Sequence, residues 1–307
     1  SGGSGVGAFS FLGQDETLVL NYVVKATDST SAQTATTVSV TLKGTNDAPV
    51  ISGTAASSFT EPVLGAGGTQ TLSSSGTLVV SDADATDTAS VSVASVVATE
   101  SQFNALSAES KAYVTANLNA FKGMLTLTNA TAVAADEASG GSTFEWNFNA
   151  GTGAFSFLAA GEVLELDYTL DAVDSSASQG HGTNHVRVTI TGTNEAPVVG
   201  VVQTPTPTPV VEAVSDVAAL TATGQLSVLD ADLHDKVSFT VDSVSVDGTF
   251  PGKGGFTTEQ LASFKSMLTM TTAQLAAEPT NPDTVTWNFA SGGSGVGAFS
   301  FLGQDET

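Results

Sequence analysis

The chain has 307 residues, with 31 acidic against 8 basic side chains, a net charge of −23 and no cysteine. Such a surface repels phosphate instead of releasing its counterions, which excludes a basic nucleic-acid binder and disfavours anionic membrane surfaces. The missing thiols exclude a disulfide framework, a thiolate metal site and a Cys nucleophile.

Hydrophobic residues make up 41 % of the chain and charged ones only 13 %, so packed cores are expected, unlike in an acidic disordered segment. The length suggests two or so domains. No run approaches the roughly 20 apolar residues that span a bilayer, and no basic segment followed by an apolar one opens the chain, so membrane insertion is not expected.

Taken in order, Ser1 to Thr17 read SGGSGVGAFSFLGQDET, and Ser291 to Thr307 are identical to them. A strand with alternating Leu18, Leu20 and Tyr22 follows, then a second over Thr37 to Leu42, both of period two. GTNDAPV at Gly44 recurs as GTNEAPV at Gly192, and Phe9, Tyr22 and Asp28 match Phe155, Tyr168 and Asp174. The chain therefore reads as a window on an array: C-terminal strands of one repeat domain (1–47), a whole domain (48–195), and a domain lacking its last strands (196–307). The end pieces are expected to be completed by neighbouring copies or by strand pairing between molecules.

Within the whole domain, Gly76 to Ser81 reads as an apolar strand, and Phe103, Leu106, Val114, Leu118 and Phe121 are spaced for one helix face. FKGMLTLT from Phe121 recurs as FKSMLTMT from Phe264, where Leu261, Phe264 and Leu268 predict the matching helix behind a capping box from Thr257 to Gln260. Trp146 and Trp287 alternate with phenylalanines as core residues do. Leu164, Leu166 and Tyr168, then Val186 to Ile190, predict two further strands. The Thr204 to Pro209 run of alternating prolines should be extended. Many short strands with one helical insertion per domain predict mostly β structure, as tandem β-sandwiches.

The acidic residues cluster. Asp82-Ala83-Asp84-Ala85-Thr86-Asp87 matches Asp230-Ala231-Asp232-Leu233-His234-Asp235, each after an apolar strand. In extended chain the i and i+2 carboxylates share a face roughly 6 to 7 Å apart, within reach of a hard cation such as Ca²⁺. A strand-ending Asx-turn is the plainer alternative.

Tyr22 to Asp28, the strand after it and GTNDAPV, together with Phe155 to Leu158, Glu162, Leu166 to Tyr168 and GTNEAPV, resemble the VCBS and bacterial cadherin-like repeats of large secreted RTX-type adhesins. That resemblance implies tandem Ig-like or cadherin-like β-sandwich domains with Ca²⁺ at the domain junctions. It would assign Asp28, Asn46, Asp47, Glu61, Asp82 and Asp84 to the first junction, and Asp174, Asn194, Glu195, Glu212, Asp230 and Asp232 to the second. Asp87 and Asp235 complete the two clusters. The glycine-rich nonapeptides of RTX secretion domains do not occur in the chain.

Other sites read weakly. His181 and His185 have a spacing that converges on zinc only in a helix, and their flanking glycines place them in a hairpin. No nucleophile, base and orienter set appears, so no enzyme is expected. The expected role is an extracellular, secreted or surface-associated extender stiffened by Ca²⁺, with neighbouring copies as partners and biofilm matrix or host ligands bound through other domains. A self-assembling filament subunit with strand exchange and a glycan-binding module are the alternatives.

Overall fold

The computed structural model describes residues 8–63, 71–131, 133–134, 140–206, 220–247, 255–271, 274–276 and 282–292. Strand dominates. β1 (Thr17–Thr27) and β2 (Gln33–Lys43) form an antiparallel hairpin that is a sheet of its own. Its period-two apolar positions pair across the ladder, Leu20 with Val40 and Tyr22 with Val38.

A sandwich follows. One sheet has the order β3-β5-β9-β7, from Val50–Ser52, Leu72–Ser81, Ser142–Ala150 and Leu125–Thr128. The other has the order β4-β11-β10-β6-β8, from Ala55–Thr60, His181–Thr191, Val163–Asp174, Thr88–Ala98 and Val133–Ala134. All of these pairs are antiparallel except β4 with β11, which run parallel.

The alternation read from the sequence is the packing. Leu164, Leu166, Tyr168, Leu170 and Ala172 of β10 all point into one core with Val186, Val188 and Ile190 of β11. Phe144, Trp146 and Phe148 of β9 close it from the opposite sheet. Burying each large side chain contributes about 1.5 to 3 kcal/mol. The Tyr168 hydroxyl donates to the Phe121 carbonyl at 2.9 Å, so its one polar group is satisfied inside the core.

The helical insertion is two helices, α1 (Glu100–Ala105) and α2 (Ala108–Lys122), where the apolar spacing predicts one face. Ser107 interrupts it: its hydroxyl caps α2 by accepting from the Ser110 amide, while the Glu162 carboxylate accepts from the Ser107 amide at 2.6 Å. Val114 and Phe121 carry the helix onto the core, where Phe121 meets Phe155 and Phe157.

The C-terminal unit repeats part of this plan. β12 (Val198–Thr206), β13 (Thr221–Leu229), β15 (Leu268–Met270) and β17 (Asp283–Ala290) form a sheet in the order β12-β13-β17-β15. Thr204 to Thr206 end β12, and the prolines after them lie outside the described residues. α3 (Thr258–Ser266) has the expected capping box between Thr257 and Gln260. Leu268 departs from the reading: Met267 caps the helix and Leu268 opens β15, pairing with Phe289. β14 (Lys236–Ser238) and β16 (Gln274–Ala276) make a separate two-stranded sheet.

Gly76 marks a close approach. A Cβ there would stand 2.8 Å from Nε1 of Trp146, which lies flat across the strand in the core. Gly76→Ala is expected to destabilise the sandwich by about 1 to 3 kcal/mol, read as a lower urea midpoint with unchanged slope.

Candidate functional site at the junctions

The two acidic motifs stand at the two ends of the sandwich and are built alike. At the first, the Asp47 amide donates to Oδ2 of Asp84 at 2.9 Å, and the Asp84 amide donates to Oδ1 of Asp82 at 3.0 Å. The Asp87 amide closes the turn on the Asp84 carbonyl, and the Ala85 amide reaches across to the Phe11 carbonyl at 3.3 Å. At the second, the Glu195 amide donates to Asp232 at 2.8 Å and the Asp232 amide to Asp230 at 3.1 Å. The Asp235 amide bonds the Asp232 carbonyl, and Leu233 reaches the Phe157 carbonyl. Four hydrogen bonds thus recur in register: one ties each linker to the motif after it, two brace the motif itself, and one joins the motif to the turn at Phe11 or Phe157.

The linkers begin at Gly44 and Gly192 for steric reasons. A Cβ at either would collide with backbone carbonyls, those of Leu12 and Gly13 or of Leu158 and Ala159. The chain can pass only without a side chain.

These carboxylates are buried without enough donors. Asp82 and Asp84 are 1 % and 0 % exposed, and Asp230 and Asp232 are 4 % and 0 %. Oδ2 of Asp82, Oδ1 of Asp84, Oδ2 of Asp87, Oδ1 of Asn46, Oδ1 of Asp232 and both oxygens of Glu61 accept no hydrogen bond. Burial pushes the Asp82 carboxyl up to about 6, with Asp84, Asp174 and Asp87 adding repulsion. Asp84 and Asp87 are raised for the same first reason, burial. Burial and then its acidic neighbours lift Asp232 to about 7, against the Glu195 amide, while burial also raises Asp230. Glu61 is pushed up to about 8 by burial, then by Glu195 and Asp232.

The grouping differs from the expected one at three residues. Asp174, assigned to the second junction, stands at the first, where oxygens of Asp82, Asp87 and Asp174 lie within 4.8 Å of one another. Oδ2 of Asp174 accepts from the Asn46 side-chain amide at 2.9 Å. Burial would raise its pKa, but the bonds from Asn46, Ser176 and Gly180 outweigh burial and lower it. Glu61, assigned to the first junction, stands at the second: its amide bonds the Thr191 carbonyl and its carboxylate faces Glu195 and Asp232. Asp28 joins neither cluster. It is exposed at the tip of the β1–β2 hairpin, and Oδ1 accepts from the Thr30 hydroxyl and the Thr30 and Ala32 amides. The Thr30 hydroxyl first, then the amides, lower its pKa.

Strand direction is the physical reason. β10 is 12 residues long, and eleven steps at about 3.4 Å each travel about 37 Å, so it carries Asp174 from the second junction back to the first. β4 likewise carries the chain the other way and delivers Glu61 beyond Thr60. Asp28 occupies on the hairpin the place that Asp174 occupies on β10–β11.

The remaining expected residues are placed as follows. Asp47 and Asn194 are exposed in the linkers, and the Asn194 side-chain amide bonds the Glu195 carbonyl. Glu195 is buried, Asp235 half-buried, and Glu212 lies outside the described residues. One participant was missed. Glu16 accepts from the Gly13 amide and the Thr86 hydroxyl, and contributes to the raised pKa of Asp87. Its offset from Glu162 matches that of Phe9 from Phe155, which was the available signal. A shallow cleft of about 180 Å³ runs beside it, past Gln14, Asp87 and Ser176.

His181 and His185 are exposed on β11 and pair with different aspartates, Asp171 at 3.1 Å and Asp167 at 2.7 Å. Trp146 is 4 % exposed and offers no stacking face to a sugar. No described helix is long and apolar enough to cross a membrane.

No family model and no curated protein matches the chain. Among solved structures, the protocadherin gamma B4 extracellular domain is similar at 13 % identity and TM-score 0.27, covering 89 % of this chain and 39 % of that one. The sialic acid binding region of the Streptococcus sanguinis SK1 adhesin, bound to 3'sLn, is similar at 14 % identity and TM-score 0.25, covering 66 % and 52 %. Zebrafish RET cadherin-like domains 1 to 4 give 11 % identity and TM-score 0.21, covering 89 % and 50 %. The chain thus spans about two fifths to half of the length of these three structures.

Proposed function

We propose that the chain is a run of non-catalytic structural repeats from an extracellular adhesion protein, of the VCBS and cadherin-like kind, in which Ca²⁺ at each junction stiffens an extended array. The observation that carries this reading is the pair of buried D-A-D motifs, each tied to the preceding linker by the same backbone-to-carboxylate hydrogen bond and each holding carboxylate oxygens without donors. A buried, partnerless carboxylate costs several kcal/mol when ionised. Here that cost is incurred twice, at equivalent places.

The donor set fits a hard cation: all oxygen, several charges, no thiol and no clustered imidazole. At the first junction Asp82, Asp84, Asp87 and Asp174 would hold the ion, with Asn46 and Asp47 from the linker. At the second, Asp230, Asp232, Asp235, Glu195 and Glu61 would do so, with Asn194 beside them. Bound Ca²⁺ supplies the positive charge that offsets the mutual repulsion of these groups. The chain's own contribution is to anchor each linker amide to its motif, so that ordering the carboxylates also fixes the linker.

X-ray scattering in calcium and in chelator tests this. A longer maximum dimension and a higher melting temperature in calcium are expected. Identical curves and melts in both would overturn the reading.

A further inference from the structure

We propose that the α1–α2 insertion braces the second junction, with Glu162 as the positioning residue that joins the two. This rests on the reading above that the linker from Gly192 to Glu195 joins two repeats, and it gives the helices a part in that joint. Glu162 stands half-buried at the end of the turn that leads into β10, with its carboxylate at the start of α2. One oxygen accepts from the Ser107 amide at 2.6 Å, and the other from the Ser110 hydroxyl at 2.8 Å and the Ala159 amide at 3.2 Å. Ser110 is fully buried, so water cannot take the place of the carboxylate. A negative group here also meets the free amides and the positive dipole end of a helix of 15 residues.

The backbone of the same turn holds the junction. The Glu162 carbonyl accepts from the Gly192 amide at 2.8 Å, and the Gly161 amide returns a bond to the Gly192 carbonyl at 3.1 Å. From the following repeat, the Leu233 amide of the second acidic motif bonds the Phe157 carbonyl at 3.3 Å. The Phe157 ring is itself packed against α2, with its centroid 4.4 Å from that of Tyr113 and 6.4 Å from that of Phe121. The helix therefore holds the turn twice, by charge-assisted bonds at Glu162 and by ring packing at Phe157. The turn in its place holds both the linker and the motif beyond it. Helix, turn, linker and motif are thus in unbroken contact, and loosening the first is expected to loosen the last.

The test is amide hydrogen exchange on the whole chain in chelator, which keeps calcium out of the readout. Glu162→Gln removes the charge and sets an amide donor against the donors of Ser107, Ser110 and Ala159. The Gly192 and Leu233 amides are expected to exchange on the order of 10-fold faster. The Gly44 and Ala85 amides, which make the matching bonds at the first junction, are expected to keep the parent's rates. Ser110→Ala takes away one bond from the helix side and leaves the turn unaltered, so it should speed the same two amides by a smaller factor, about threefold. Amides of the β10–β11 ladder report the sandwich as a whole. Acceleration that is equal at the ladder and at both junctions would mark a loss of stability alone and overturn the proposal. Acceleration confined to the first turn of α2 would overturn it as well. Scattering curves alike in calcium and in chelator would remove the calcium reading and leave this result standing.

Discussion

Asp84→Asn is expected to change sign with the solution: a lower melting temperature than the parent in calcium, and a higher one in chelator. One Asp84 oxygen accepts the Asp47 amide, and an asparagine oxygen can keep that bond. The other is buried without a donor. In chelator, the substitution removes a buried charge and places an amide donor among carboxylates, which is stabilising. In calcium, it deletes a charged ligand. Losing one partner of a buried charge pair costs roughly 2 to 5 kcal/mol, so affinity at the first junction should fall on the order of 100-fold by titration calorimetry. Were Asp84 only a hydrogen-bond acceptor for the linker, the variant would be slightly less stable in both solutions. Asp232→Asn should behave alike at the second junction.

Acidification in chelator should stabilise the chain, the reverse of ordinary acid denaturation. Asp82, Asp232 and Glu61 have folded-state values of about 6, 7 and 8, against ordinary values of 3.8 for Asp and 4.5 for Glu. A carboxyl whose pKa is raised on folding holds its proton more tightly in the folded state. Its contribution is therefore complete below the ordinary carboxylate range and is lost as the pH climbs through the folded value. Melting temperature should fall between about pH 4 and pH 8, the window set by those shifts. Asp174 is lowered and works in the opposite sense, its contribution fading only at more acidic pH. Saturating calcium should flatten or invert the slope, because the ion competes with protons for the same oxygens. A melting temperature that rises with pH in chelator would contradict the burial and repulsion described at the junctions.

The strands were legible because alternation is a one-dimensional signal: the β10 and β11 core residues could be named without knowing their neighbours. The D-A-D motifs were legible for a similar reason, since i and i+2 fix a shared face whatever the fold. The allocation of Asp174 and Glu61 was not. Both sit near a linker in sequence or in motif order, but only the direction in which β10 and β4 traverse the sandwich decides which end receives them. The break between α1 and α2 was hidden by apolar spacing that continues through Leu106 while Ser107 leaves the helix to cap the next one. Leu268 keeps helical spacing from Leu261 and Phe264, yet pairing with Phe289 outweighs one more turn of α3.

The parallel pairing of β4 with β11 also has a mechanical meaning. Six residue pairs, from Ala55 with Val186 to Thr60 with Thr191, join an early strand of the sandwich to its last. Tension applied through the two linkers pulls these strands lengthwise past each other, so the rungs between them are loaded together and cannot be peeled one at a time. The sandwich therefore meets a pull along the chain in shear, its stronger direction.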